Sequence, residues 1–163
     1  MFAGPNGSGK TTLIKEISRT FNIGYFINAD RIEASLNLRK YVDCSDFSPR
    51  PIFDEEWVIF LSKYKKDSRF ADGDLRSIEV KENRLVCSQT VNSYQAAVIA
   101  EFFRENLLLV NQTFSFETVM SHESKVNFLR KAKQHGFATY LYFICTRDPW
   151  INAIPRPKAK AGV

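Results

Sequence analysis

Cysteine and histidine are scarce in this chain, with three of the first and two of the second in 163 residues. Cys44, Cys87 and Cys145 are odd in number, far apart and never arranged as C-x-x-C. That pattern argues against both a disulfide framework and a structural zinc site, and it suits a reducing cytoplasm. No apolar run approaches the roughly 20 residues that cross a bilayer, and no signal peptide is legible. Repeats and low-complexity tracts are missing too. Charge of one sign is also lacking: the net charge is +5, and Arg156, Lys158 and Lys160 near the end supply three of it. A nucleic-acid footprint needs a basic stripe on the folded body. A further cluster, Lys63, Lys65 and Lys66, falls in the last turn of an expected helix, where the helix dipole favours cations. Neither nucleic acid nor membrane is expected as a partner.

What is present is an ordinary globular composition, 44% hydrophobic and 25% charged, in a length that suits one domain with a real core. Gly4-Pro5-Asn6-Gly7-Ser8-Gly9-Lys10-Thr11 satisfies G-x-x-x-x-G-K-[ST] in full, the pattern of a phosphate-binding P-loop. Gly4, Gly7 and Gly9 let the backbone take positive φ and approach phosphate oxygens without a Cβ in the way. Successive N–H groups then form an anion nest at the N-terminus of the next helix. Lys10 is expected to reach the β- and γ-phosphates of ATP, and the Thr11 hydroxyl to hold Mg²⁺. The motif needs a helix after it, and Leu13, Ile14, Ile17 and Phe21 mark one face of such a helix.

Further along, a strand is expected over Tyr25–Ala29, ended by Asp30, with a short helix from Arg31. Residues 38–53, with Pro49 and Pro51, read as an irregular connection. Asp54 reads as the N-cap of a helix whose stripe is Trp57, Phe60, Leu61 and Tyr64. Ile78-Glu79-Val80 and Leu85-Val86-Cys87 flank Lys81–Arg84 as a hairpin. A helix over Ser93–Leu109, a strand over Thr113–Thr118 and a helix over Glu123–His135, closed by Gly136, come next. Ala138–Cys145, β-branched and aromatic, reads as a core strand of a parallel sheet. The expected fold class is α/β, a P-loop-type parallel β-sheet flanked by helices. The expected organisation is a single domain over 1–163, with an irregular, helical and hairpin insertion at 38–92 and a disordered tail at 153–163.

Ligands of such folds sit at the carboxyl ends of the strands. Asp30, Glu117-Thr118 and Thr146-Arg147-Asp148 are the three strand ends expected to meet at the P-loop. A phosphoryl-transfer enzyme needs a carboxylate by the acceptor hydroxyl, and Asp30 and Glu117 are the acids this topology supplies. Asp30 with Glu33 three residues on is equally a capping box. Glu117 is either a surface acid at a fraying strand end or a functional carboxylate at the rim of a core strand. His122 and Lys125 read as solvated residues of a helix start.

Four stretches together carry a family resemblance: Ala3-Gly4-Pro5-Asn6-Gly7-Ser8-Gly9-Lys10-Thr11-Thr12, Ile27-Asn28-Ala29-Asp30, Phe114-Ser115-Phe116-Glu117-Thr118-Val119-Met120-Ser121-His122, and Asp148-Pro149-x-Ile151-Asn152. They resemble the zeta-toxin family of P-loop kinases. The resemblance runs from Ala3 to Asn152 apart from about 38–90. It implies a kinase that moves the γ-phosphate of ATP to the sugar 3′-hydroxyl of UDP-N-acetylglucosamine, with a protein antitoxin as a possible partner. By the same resemblance Asp30 is the catalytic base, Glu117 and Thr118 grip the acceptor, and Lys10 and Thr11 are the phosphate and Mg²⁺ ligands.

The sequence departs from that family at both ends. Past Asp148-Pro149 the family has an arginine-bearing helix, whereas here Pro155 and Pro157 break any helix. Only Met1, Phe2 and Ala3 precede Gly4, so the strand from which the loop hangs is expected to be nearly absent. These features suggest a truncated chain. The alternative expectation is a catalytically impaired ATP-binding remnant that lacks the arginine-bearing lid.

Overall fold

The computed structural model describes residues 1–64, 74–119 and 123–145. Strand β1 (Phe2–Ala3) leads through the glycine-rich loop into α1 (Lys10–Thr20), then β2 (Tyr25–Ile27), α2 (Ala29–Arg39), β3 (Tyr41–Asp43) and α3 (Asp54–Leu61). The hairpin β4 (Ile78–Lys81) and β5 (Arg84–Cys87) precedes α4 (Ser93–Leu109), β6 (Phe114–Thr118), α5 (Ser124–Gln134) and β7 (Tyr142–Phe143). The architecture is α/β, as expected: a four-stranded parallel sheet in the order β2-β6-β1-β7, flanked by helices. No helix among the described residues is long and apolar enough to cross a membrane.

The chain divides into two compact units, Met1–Asn22 with the chain from Phe116 onward, and Ile23–Ser115. In the first, the two residues of β1 are enough to make the central strand. Phe2 and Ala3 are 2% and 0% exposed and pair in parallel on both sides, Phe2 opposite Glu117 and Tyr142, Ala3 opposite Thr118 and Phe143. Their side chains anchor the strand where hydrogen bonds alone would not: Phe2 stacks on Tyr142 at 5.3 Å between centroids. On β6, Phe116 meets Phe128 of α5 edge-on at 5.5 Å. Gly136, at φ 84°, follows the α5 C-cap as expected.

One expectation for this unit needs correction. Among the described residues Ala138–Cys145 is not a core strand: only Tyr142 and Phe143 are paired, at the edge of the described sheet, and Phe143 is 58% exposed. An edge position leaves an aromatic, β-prone run with one neighbour instead of two, so its composition promised more burial than its place allows. Of the α1 stripe, Ile14 is buried and Phe21 is exposed.

The second unit has its own core, centred on α4. Asn92 caps that helix in a complete capping box with Gln95, and Ile99, Phe102, Phe103 and Leu107 are buried. Trp57 of α3 meets Phe102 edge-on at 5.1 Å and stacks with Phe60 at 5.8 Å. Its indole N–H donates to the Ile78 carbonyl at 2.7 Å, so the ring is fixed at both its apolar and polar ends. Truncation here removes a fully buried aromatic side chain. Trp57→Ala is expected to lower unfolding free energy by about 3–5 kcal/mol, read from urea titrations of the two proteins; a loss under about 1 kcal/mol would show that this cluster is not the core of the unit.

Several local expectations shift in this unit. The Tyr25–Ala29 strand stops at Ile27, because Asn28 caps α2 and Ala29 is already helical. The helix therefore begins at Ala29, two residues before Arg31. The 38–53 connection contains a strand, β3, and a 3₁₀ turn at Cys44–Asp46. β3 pairs antiparallel with β5, and Val42 lies buried with Leu85. The order of this small sheet is β3-β5-β4. The hairpin pairs through Lys81 and Arg84, since Glu82 and Asn83 at φ 49° and 59° make a tight turn of the two-residue type. Asp54 is the first residue of α3 and not its cap; its Oδ1 instead accepts from the Val80 N–H at 2.8 Å. Trp57 and Phe60 are buried, with Leu61 and Tyr64 half-buried beside them. Lys63 is not simply solvated, since it pairs with Glu105 and lies over the Phe60 ring. Lys65, Lys66 and the 153–163 tail lie outside the described residues.

Candidate phosphate-binding site

The glycine-rich loop spans the gap between the buried end of β1 and the first turn of α1. Gly4, Gly7 and Gly9 all take positive φ, 147°, 77° and 91°, a region glycine enters without steric cost; Gly4 and Gly9 are the two glycines the motif specifies. Gly4 is also a packing necessity: a Cβ there would lie 2.1 Å from the Ile144 carbonyl oxygen. Its N–H donates to the Thr118 carbonyl at 3.2 Å, which ties the loop to the end of β6. Inside the loop the Ser8 N–H donates to the Pro5 carbonyl at 3.2 Å. Gly9, left-handed, is the N-cap of α1; it offers no capping side chain, and no acid occupies the first turn. Among the described residues, then, no side chain caps this N-terminus and no acid sits in its first turn, which leaves the positive end of the helix dipole able to receive an anion.

Lys10 is the buried cation of the site, 5% exposed. Its Nζ donates to the Gly4 and Pro5 carbonyls, each at 2.9 Å. It lies 3.7 Å from Oε1 of Glu117, whose side chain is 17% exposed. The long side chain thus curls back over its own loop, its charge shared between two carbonyl dipoles and one carboxylate. The pairing follows from register: β1 and β6 run in parallel with Phe2 opposite Glu117, which carries the end of β6 alongside the loop.

The remaining loop residues present a mixed surface. Asn6, Gly7, Gly9, Thr11 and Thr12 are exposed, and Pro5 and Ser8 are half-buried. Ser8 Oγ is shut away from solvent with no hydrogen-bond partner among the described residues, an orphaned group of the kind a ligand oxygen would satisfy. These features fit a nucleotide triphosphate. For Mg²⁺ the fit is narrower. No group of three or more His, Cys, Asp or Glu among the described residues could hold a metal. A divalent ion here would need phosphate oxygens beside the Thr11 hydroxyl, the way Mg²⁺ is usually held in such sites.

Of the expected site residues, the first unit brings together the loop residues Gly4–Thr12, Glu117 and Thr118. Asp30 belongs to the second unit. There it occupies the first turn of α2, exposed. The capping-box reading of Asp30 with Glu33 is corrected: the cap is Asn28, whose Oδ1 accepts from the Arg31 N–H at 3.0 Å. Asp30 is therefore not consumed in capping its helix. His122, Thr146, Arg147 and Asp148 lie outside the described residues. Sequence reasoning missed the Lys10–Glu117 approach and the Thr118 carbonyl as a strut of the loop. Both depend on strand register between residues more than 100 positions apart, for which the chain carries no local signal.

No family model, no curated protein and no solved structure matches this chain.

Proposed function

We propose that this protein is an ATP-dependent small-molecule kinase of zeta-toxin type, which transfers the γ-phosphate of ATP to a sugar hydroxyl of UDP-N-acetylglucosamine or a similar acceptor. The observation that carries the reading is the loop itself, with three positive-φ glycines and the buried Lys10 amine at a helix N-terminus that has no acid in its first turn. In the proposed reaction the loop N–H groups and Lys10 hold the triphosphate, and Lys10 neutralises charge that develops on the phosphoryl oxygens. Thr11 would hold Mg²⁺, which neutralises further phosphate charge when bound. Asp30 takes the proton of the attacking hydroxyl. The oxygen–phosphorus bond to the acceptor forms as the γ-phosphorus–oxygen bond to ADP breaks, and ADP leaves with both electrons of that bond. Glu117 and Thr118 grip the acceptor. The acceptor, the role of Asp30, an antitoxin partner and a cytoplasmic setting rest on the family resemblance.

The test is transfer of labelled γ-phosphate from Mg-ATP to UDP-N-acetylglucosamine. Labelled sugar nucleotide is the expected product. Hydrolysis or binding of ATP without labelled acceptor would contradict the assigned acceptor and leave a nucleotide-binding protein.

A further inference from the structure

The first glycine of the loop is gripped from two sides by strand ends. Its N–H donates to the Thr118 carbonyl of β6 at 3.2 Å. On the other side a Cβ on Gly4 would lie 2.1 Å from the Ile144 carbonyl oxygen. The residue that follows β7 thus closes on the loop with no room for a side chain. Gly4 in turn fixes Lys10, since its carbonyl accepts from Lys10 Nζ at 2.9 Å. The placement of β7 against β1 therefore reaches the lysine through a single peptide.

We propose that Tyr142 is a positioning residue for the phosphate-binding loop. Its ring, stacked on Phe2, holds β7 where the Ile144 carbonyl sets the Gly4 peptide and, through it, Lys10. This rests on the phosphate-binding reading of the loop. By itself β7 is a weak element, two residues long at the edge of the described sheet. Its ladder to β1 consists of the Tyr142 N–H on the Met1 carbonyl at 2.9 Å and the Ile144 N–H on the Ala3 carbonyl at 2.8 Å. The Met1 nitrogen donates to the Tyr140 carbonyl at 2.7 Å just before them. A strand end held by so few bonds opens readily unless side chains pin it. Phe2 supplies the fixed surface, 2% exposed on an interior strand. Tyr142 lies on it with centroids 5.3 Å apart and ring planes 15° from parallel, and such a stack adds to what burial alone contributes. The ring face carries the effect, and the hydroxyl is not needed for it.

The experiment is calorimetric titration of the 163-residue chain and its variants with Mg-ATP, at a temperature where melting curves show each to be folded. Tyr142→Ala is expected to weaken binding by roughly three- to tenfold, the scale of one lost ring stack. Tyr142→Phe keeps the ring and is expected to stay within about twofold of wild type. Phe143→Ala is the control for loosening of the strand in general, because Phe143 is 58% exposed and points to the other face of β7. It too is expected to stay within about twofold. Tyr142→Leu, which keeps apolar bulk without a flat ring, replaces the alanine variant if that does not fold, and should weaken binding in the same direction. A role confined to stability would lower the melting temperature and leave the affinity of the folded protein unchanged. Wild-type affinity in the folded alanine or leucine variant would therefore overturn the proposal. So would an equal loss in Tyr142→Phe, which would assign the effect to the hydroxyl, or in Phe143→Ala, which would assign it to the strand as a whole. If folded wild-type protein does not bind Mg-ATP, the phosphate-binding reading fails and the positioning role with it.

Discussion

Lys10→Ala is expected to abolish phosphate transfer, lowering the rate by on the order of 10²–10³ or more, as the loss of one charge-stabilising donor does in related chemistry. The loss comes from two sources. In the proposed reaction Lys10 is the cation that meets the phosphates, and nothing else among the described residues of the loop carries positive charge. It is also the donor that closes the loop on itself through the Gly4 and Pro5 carbonyls. Its removal leaves those carbonyls without that donor and Glu117 without its cation partner at 3.7 Å. Steady-state kinetics must therefore be paired with a melting curve. A folded variant without transfer supports the assignment, whereas a folded variant with normal transfer would remove Lys10 from the reaction. Lys10→Arg is not expected to rescue, because the planar guanidinium cannot occupy the narrow position of a compact ammonium.

Asp30→Asn is expected to lower transfer by about 10²–10⁴-fold while Mg-ATP binding stays within about twofold of wild type, the signature of a lost general base. The substitution is nearly isosteric and removes only the proton acceptor. Asn28, and not Asp30, caps α2, so the helix should keep its start and the stability change should be small. That separation makes the outcome readable, since a catalytic defect cannot be explained by an unravelled helix. Single-turnover transfer and equilibrium binding on the same preparation are the measurements. Unchanged transfer would show that Asp30 is only a polar residue of a helix start. Loss of binding and transfer together would indicate damage to the fold.

The parts of the fold carried by local rules were legible in the sequence. The glycine-rich loop, the hairpin around Lys81–Arg84 and the Gly136 stop each need only a few neighbouring residues to specify them, whereas the Asn92 and Gln95 capping box obeys an equally local rule and was overlooked. What was illegible is set by pairing at long range. β3 is three residues of an apparently irregular connection, and only its partner β5 makes it a strand. Tyr142 and Phe143 look like core because they are aromatic, yet they line a sheet edge. The end of β2 was misjudged because Asn28 and Ala29 extend a plausible strand pattern, and capping geometry overrides that pattern. The candidate site divides the same way. Loop residues were readable from spacing, but the approach of Glu117 to Lys10 follows from the register of β6 against β1 and could not be read from either segment alone.

Saturable binding of Mg-ATP by this chain tests the central claim most directly. Calorimetry is predicted to show one site per chain, with ADP competing for it and with the heat of binding lost in Lys10→Ala. No saturable binding by a folded wild-type protein would contradict the account, and with it the kinase built on the loop.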